Sequence, residues 1–152
     1  MNYLRKWFIL CWNIRGLNAK SKQLALLNVI KLSGCSVVCL PETKKSHFDM
    51  AFIKSCCPSS FDEFLYIPSN GASEGLIVIW QSAVFTGMMM HCQPFAMSVH
   101  FTSKQDNISW TLMNVYGPCS GDLRDDFVSW LYDLNILYDE DWLIVGDFNF
   151  VR

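Results

Sequence analysis

The sequence predicts an α/β protein in which helices cover the outer faces of two stacked, mixed β-sheets. Three observations lead there. Helical and strand-like stretches alternate near both ends of the chain, in the order β-α-β-α at the start and α-β at the finish. Between them lie five consecutive strand-like runs separated by turn residues. The chain has 152 residues, 51% apolar and 14% aromatic, which suits one domain with a sizeable core. Sheets bury one face each and helices need a partner face, so outer helices on stacked sheets satisfy all three.

The opening "MNYLRKWFILCW" imitates a signal peptide. Its apolar run, Trp7 to Trp12, is short, and Asn13 and Arg15 follow with no small-residue cleavage site. It reads as a buried strand over 8–14. "NAKSKQLALLNVIKLSG" reads as a helix, with Leu24, Leu27 and Ile30 at helical spacing and Gly34 as the stop. "SVVCL" is a short buried strand ended by Pro41, and residues 47–57 suit a helix closed by Pro58. "EFLYIP", "GLIVIW", "VFTGMMMHC", "FAMSVHFT" and "SWTLMNVY" follow as strands, joined by turns such as Ser69-Asn70-Gly71 and Lys104-Gln105-Asp106-Asn107. Short connections predict an antiparallel meander. A helix over 122–138 carries Leu123, Phe127, Trp130, Leu131, Leu134 and Leu137 in one stripe. "WLIVGDF" is the final strand.

Net charge is −2, but it is unevenly spread. Residues 1–54 hold nine Lys or Arg against two acids, and residues 55–152 hold three against twelve. That asymmetry allows a basic side for phosphates and an acidic, solvated side; charges falling on exposed faces would also produce it. The seven Cys are scattered, with no zinc spacing, and read as reduced intracellular thiols used as small hydrophobes. Residues 75–103 carry no formal charge, yet Gln81, Ser82, Gly87, His91, Gln93 and Pro94 interrupt them, so no window is clean enough for a membrane span.

Polar residues interrupt the apolar strands at a few points. Asn13 lies in "CWNIRGL", Glu42 in "LPETK", Tyr116 in "LMNVYGP", and Asp147 and Asn149 in "GDFN". Each falls where a strand gives way to a loop, the usual place for a site. Asp147 and Asn149 are two apart and share a face if both are in the strand, as do Asn114 and Tyr116. Glu42 and Asp147 together suit a hard divalent cation, which takes oxygen ligands and substrate phosphate. Asn13 and Asn149 add neutral amides, and the Tyr116 hydroxyl can donate to a phosphoryl oxygen. The set suggests metal-assisted phosphodiester hydrolysis. Plainer readings stand beside it. Asn13 also suits a turn cap before Gly16, Glu42 the start of the next helix, and Tyr116 an amphipathic core edge. Asp147 is hardest to explain without a partner, because burying its charge is costly unless it is paired or bound to metal.

In this order, "WNIRGL", "LPETK", "NVYGP" and "GDFN" resemble the exonuclease–endonuclease–phosphatase family, which includes DNase I-like and apurinic endonucleases. "CWNIRGLN", "VVCLPETK", "NVYGPC" and "WLIVGDFNFVR" are similar to the endonuclease domain of plant LINE-type (non-LTR) retrotransposons. The resemblance covers nearly the whole chain. It implies a four-layer α/β/β/α sandwich, a magnesium (or manganese) cofactor, DNA as the substrate, and a nuclear location, with no membrane and no obligate protein partner. It implies that Glu42 binds the metal, that Asn13 serves metal and phosphate, and that Tyr116 supports the phosphate. Asp147 would activate or position the attacking water, and Asn149 would orient the phosphate. The chain departs from the family at Pro41, where Gln is usual, at Cys119, where many members have Asn, and at Glu74-Gly75, where a Gly pair is usual. The resemblance also implies that the chain corresponds to the N-terminal part of such a domain. Further strands and a late Ser-Asp-His motif would follow "GDFN". His47, His91 and His100 lie in no such motif, so impaired activity is expected. Two alternatives are a phosphatase of the same family, acting on a phosphorylated small molecule or lipid, and a non-catalytic retroelement remnant.

Overall fold

The computed structural model describes residues 6–71, 73–119, 121–136 and 139–150. In chain order the elements are β1 (Ile9–Cys11), α1 (Lys20–Ser33), β2 (Val37–Pro41), α2 (Met50–Cys56), β3 (Glu63–Ile67), β4 (Leu76–Trp80), β5 (Phe85–Gln93), β6 (Ala96–Ser103), β7 (Ser109–Tyr116), α3 (Asp122–Asp133) and β8 (Trp142–Asp147). They form two four-stranded sheets, ordered β1-β2-β4-β3 and β5-β6-β7-β8. Both are mixed: β1 runs parallel to β2 and β7 parallel to β8, while the other pairs are antiparallel.

The alternation of side chains along a strand explains the layers. Val38 and Leu40 of β2, with Ile77 and Ile79 of β4, face Leu26 and Ile30 of α1 and Ile53 and Cys56 of α2. Their neighbours Val37, Cys39, Val78 and Trp80 face the other way, against Phe85, Val99, Phe101 and Leu112 of the second sheet. On that sheet's far side, Phe95, Ala96, Met113 and Val115 pack on Phe127 of α3. The result is an α/β/β/α sandwich. β2 and β4 are buried on both faces, which is why they read as unbroken apolar runs.

Several boundaries and registers differ from the sequence reading. The first strand is only three residues long, although Trp12 and Ile14 still donate to Cys39 and Pro41 carbonyls beyond it. The buried face of α1 is Gln23, Leu26 and Ile30, and Leu24 is exposed. Leu24, Leu26 and Leu27 offer two helical stripes a residue or two apart. The Gln23 amide decides between them by donating to the Leu17 and Asn18 carbonyls. The five central strands do not form one meander. β4 lies between β2 and β3, so both its edges are already paired and β5 cannot pair with it. The turn after Trp80 therefore carries the chain across to start the second sheet. The last helix ends at Asp133 rather than 138. Phe127 is its one buried residue, Trp130, Leu131 and Leu134 pack partly against the core, and Leu137 lies outside the described residues.

Among the described residues no helix is long and apolar enough to cross a membrane. The uncharged stretch over 75–103 forms β4, β5 and β6. All seven cysteines are free.

Candidate functional site

Parallel pairing puts the C-terminal ends of β1 and β2 together, and likewise those of β7 and β8. With the sheets stacked, these two pairs of ends meet. A cavity of about 430 Å³ lies there, lined by Asn13, Arg15, Glu42, Tyr116, Asp147 and Asn149. All five residues singled out in the sequence thus line one cavity, although Asn13 and Asp147 are 134 positions apart.

Backbone hydrogen bonds lace the loops of the first sheet. Ile14 N donates to the Pro41 carbonyl, Gly16 N to Glu42 and Leu17 N to Thr43. Thr43 N and Lys44 N donate in turn to the Gly75 and Glu74 carbonyls. This is where the Glu74-Gly75 pair matters: Gly75 has φ +84, and a Cβ there would strike Thr43 Oγ1. Pro41 ends β2 with no donor, but its carbonyl is used by Ile14.

The second sheet supplies the rest. Asp147 ends β8, and its Oδ2 accepts from Asn13 Nδ2 at 3.2 Å, joining the sheets. Its Oδ1 accepts from Asn149 N at 3.0 Å, and Asn149 Nδ2 donates to the Gly117 carbonyl at 2.7 Å. Asn149 therefore does not continue the strand face of Asp147. It lies past the strand in a left-handed turn, φ +52, closed by the Asp147 carboxylate. Asn114, on β7, is not in the cavity but is fully buried, and its amide donates to the Ile77 carbonyl of the opposite sheet at 3.2 Å.

Among the described residues, five non-glycine residues have positive φ, and three of them, Arg15, Glu42 and Asn149, line this cavity. Such conformations cost roughly 1–3 kcal/mol each and persist only where surrounding contacts hold them. Their concentration here marks the cavity as the place where the fold holds its backbone under strain.

The charges are nearly balanced. Lys44 Nζ lies 3.2 Å from Glu42 Oε1. Burial first, then the nearby Glu42 charge, push the Tyr116 phenol pKa well above its ordinary value. Tyr116 is thus a hydroxyl donor throughout the neutral range. Arg15 and Lys44 were not among the sequence candidates. The only signal for them was that each lies two residues after a candidate, Asn13 or Glu42.

The donors suit a hard divalent cation. Glu42 and Asp147 offer carboxylates, and Asn13 Oδ1 is buried with no hydrogen-bond partner, an orphaned oxygen beside them. A site dominated by His or Cys is not present: among the described residues no group of three or more His, Cys, Asp or Glu gathers. The three histidines lie elsewhere. His47 is exposed before α2 and 3.4 Å from the Tyr66 hydroxyl, His91 contacts Ser98 Oγ at 2.7 Å, and His100 contacts Thr111 Oγ1 at 3.0 Å.

No family model matches the chain, and no curated protein matches it. Solved structures do. The catalytic domain of human Nocturnin superposes with a TM-score of 0.68 at 12% identity, over 93% of this chain and 63% of that one. The AP endonuclease LMAP from Leishmania major superposes with a TM-score of 0.67 at 16% identity, over 91% and 54%. The chain has the DNase I-like fold. A third DNase I-like neighbour is the endonuclease domain of TRAS1, a telomere-specific non-LTR retrotransposon, with a TM-score of 0.62 at 10% identity, over 93% and 59%. The chain spans between 54% and 63% of the length of these three DNase I-like structures.

Proposed function

We propose that this chain belongs to a metal-dependent phosphodiester hydrolase that nicks DNA, of the kind found in LINE-type retrotransposons, acting in the nucleus. One observation carries the reading. Asn13, Glu42, Tyr116, Asp147 and Asn149 line one cavity where the C-terminal ends of β1, β2, β7 and β8 meet. The DNase I-like fold and a retrotransposon endonuclease among its neighbours support the choice of DNA. The motif wording around Asn13 and Tyr116 supports the plant LINE type over a phosphatase.

Glu42 and the free Asn13 oxygen would hold magnesium or manganese, beside the Asp147 carboxylate. When bound, such an ion offsets negative charge on a phosphoryl oxygen. The remaining work falls to the chain's own groups. Asp147 is steadied by Asn13 and by Asn149 N, so its other lone pairs face the cavity. There it accepts a proton from the water that attacks phosphorus. The water oxygen forms a bond to phosphorus, the phosphorus–oxygen ester bond breaks, and the leaving oxygen takes a proton from solvent. Tyr116, kept protonated, donates to a non-bridging oxygen as charge builds there. Asn149 has one amide N–H fixed on Gly117, which aims the second.

The test is nicking of supercoiled plasmid by purified protein in magnesium, beside Asp147→Ala. Nicking by the parent and none by the variant is the expected outcome. Equal nicking by both, or hydrolysis only of small phosphomonoesters, would refute the reading. DNA binding with no nicking would instead favour a non-catalytic remnant.

A further inference from the structure

We infer that Arg15 is a phosphate clamp, its guanidinium binding two non-bridging oxygens of the phosphodiester that enters the cavity. The inference deepens the proposed function and rests on that reading of the cavity. Arg15 lines the cavity and is exposed. Its backbone sits at φ +52, a conformation suited to Gly or Asn. It is held there by hydrogen bonds on both sides, from Ile14 N to Pro41 and from Gly16 N to Glu42. The fold therefore fixes where this side chain starts.

An arginine beside two carboxylates ordinarily pairs with one of them. Arg15 does not: among the described residues it makes no ion pair and no side-chain hydrogen bond. Its anionic neighbours have partners of their own. Both Asp147 oxygens accept, from Asn13 and from Asn149 N. Glu42 Oε1 lies 3.2 Å from Lys44 Nζ. The five N–H donors of Arg15 are thus left for an anion from outside, in a planar fork that matches two phosphate oxygens. Lys44 pairs with Glu42 and presents only a point charge, so among the described residues lining the cavity Arg15 is the cation free for substrate.

The experiment measures binding of a fluorescein-labelled DNA duplex by anisotropy, in EDTA and across 50–200 mM salt. The proteins are the full chain, Arg15→Gln, Arg15→Lys and, as a control remote in sequence on the exposed end of α1, Lys31→Gln. Each phosphate neutralised contributes about 0.9 to the slope of log affinity against log salt. Arg15→Gln should weaken binding about tenfold and reduce the magnitude of that slope by about 1. Arg15→Lys should keep the slope but lose part of the affinity with the fork, and Lys31→Gln should change neither. Parent slope and affinity in Arg15→Gln, or no duplex binding by the parent, would overturn the clamp. If Arg15→Gln shifts the slope while the parent fails to nick plasmid, the hydrolase reading falls and the clamp stands. If Arg15→Gln binds as the parent does while nicking depends on Asp147, the clamp falls and the hydrolase reading stands.

Discussion

Replacing Asp147 separates its structural role from its chemical one. In the parent, the carboxylate accepts two hydrogen bonds, from Asn13 Nδ2 at 3.2 Å and Asn149 N at 3.0 Å. Hydrogen bonds to charged groups contribute about 1.5–3 kcal/mol each when buried. This pair is half-buried, so water recovers part of the loss in Asp147→Ala, and the net cost should be about 2–3 kcal/mol. Relief of repulsion from Glu42 works the other way, but Lys44 already neutralises Glu42 at 3.2 Å, so that gain is small. Asp147→Asn is gentler. Its oxygen keeps the bond from Asn149 N. Its new amide would face the Asn13 amide, donor to donor, but Asn13 Oδ1 has no partner. A half-turn of the Asn13 amide presents that oxygen instead, leaving a loss of about 1 kcal/mol. Urea unfolding in EDTA reads both values. Nicking assays with magnesium should show Asp147→Asn at least ~10²-fold slower with DNA binding barely changed, the range for loss of a general base. Equal stability of the parent and Asp147→Ala would refute the tie between the sheets. Parent-like nicking by Asp147→Asn would refute the base.

Phe127→Ala removes the one buried side chain of α3, which packs on Phe95 with ring centroids 4.9 Å apart, and should cost about 3–5 kcal/mol in urea unfolding. A loss under about 1 kcal/mol would mean that α3 is not docked on the sheet. Gly146→Ala places a Cβ against the Val115 backbone carbonyl of β7, at φ +130, and main chain cannot swing aside. A cost of about 2 kcal/mol or more, a melting point lower by roughly 4–8 °C, is expected in a thermal scan. Tyr116 has its pKa raised in the folded chain, so the unfolded state loses that proton first and stability falls as pH rises above about 10. Tyr116→Phe should flatten this fall, and absorbance titration should lose a tyrosine that ionises above the ordinary phenol range; an unchanged titration would refute the assignment.

Some of this protein was decided by sequence alone, where a signal was local. "SVVCL" was legible as a buried strand, because apolar residues at nearly every position leave no wet side. Gly34 ends α1 in the left-handed conformation that favours glycine. The candidate residues were legible for a related reason, since Glu42 or Asp147 is conspicuous at the end of an apolar run. Tertiary structure decided the remainder, where one sequence served two arrangements. Three nearby leucines could not say which stripe of α1 is buried, and the Gln23 amide did. Five strands in a row could not say that β4 has both edges filled and that the chain must cross to a second sheet. Arg15 looked like any surface cation; only the lacing of its loop to Glu42, and the partners already held by the carboxylates around it, set it apart. Local preference acts over a few residues, whereas edge occupancy and partner competition exist only once distant segments meet.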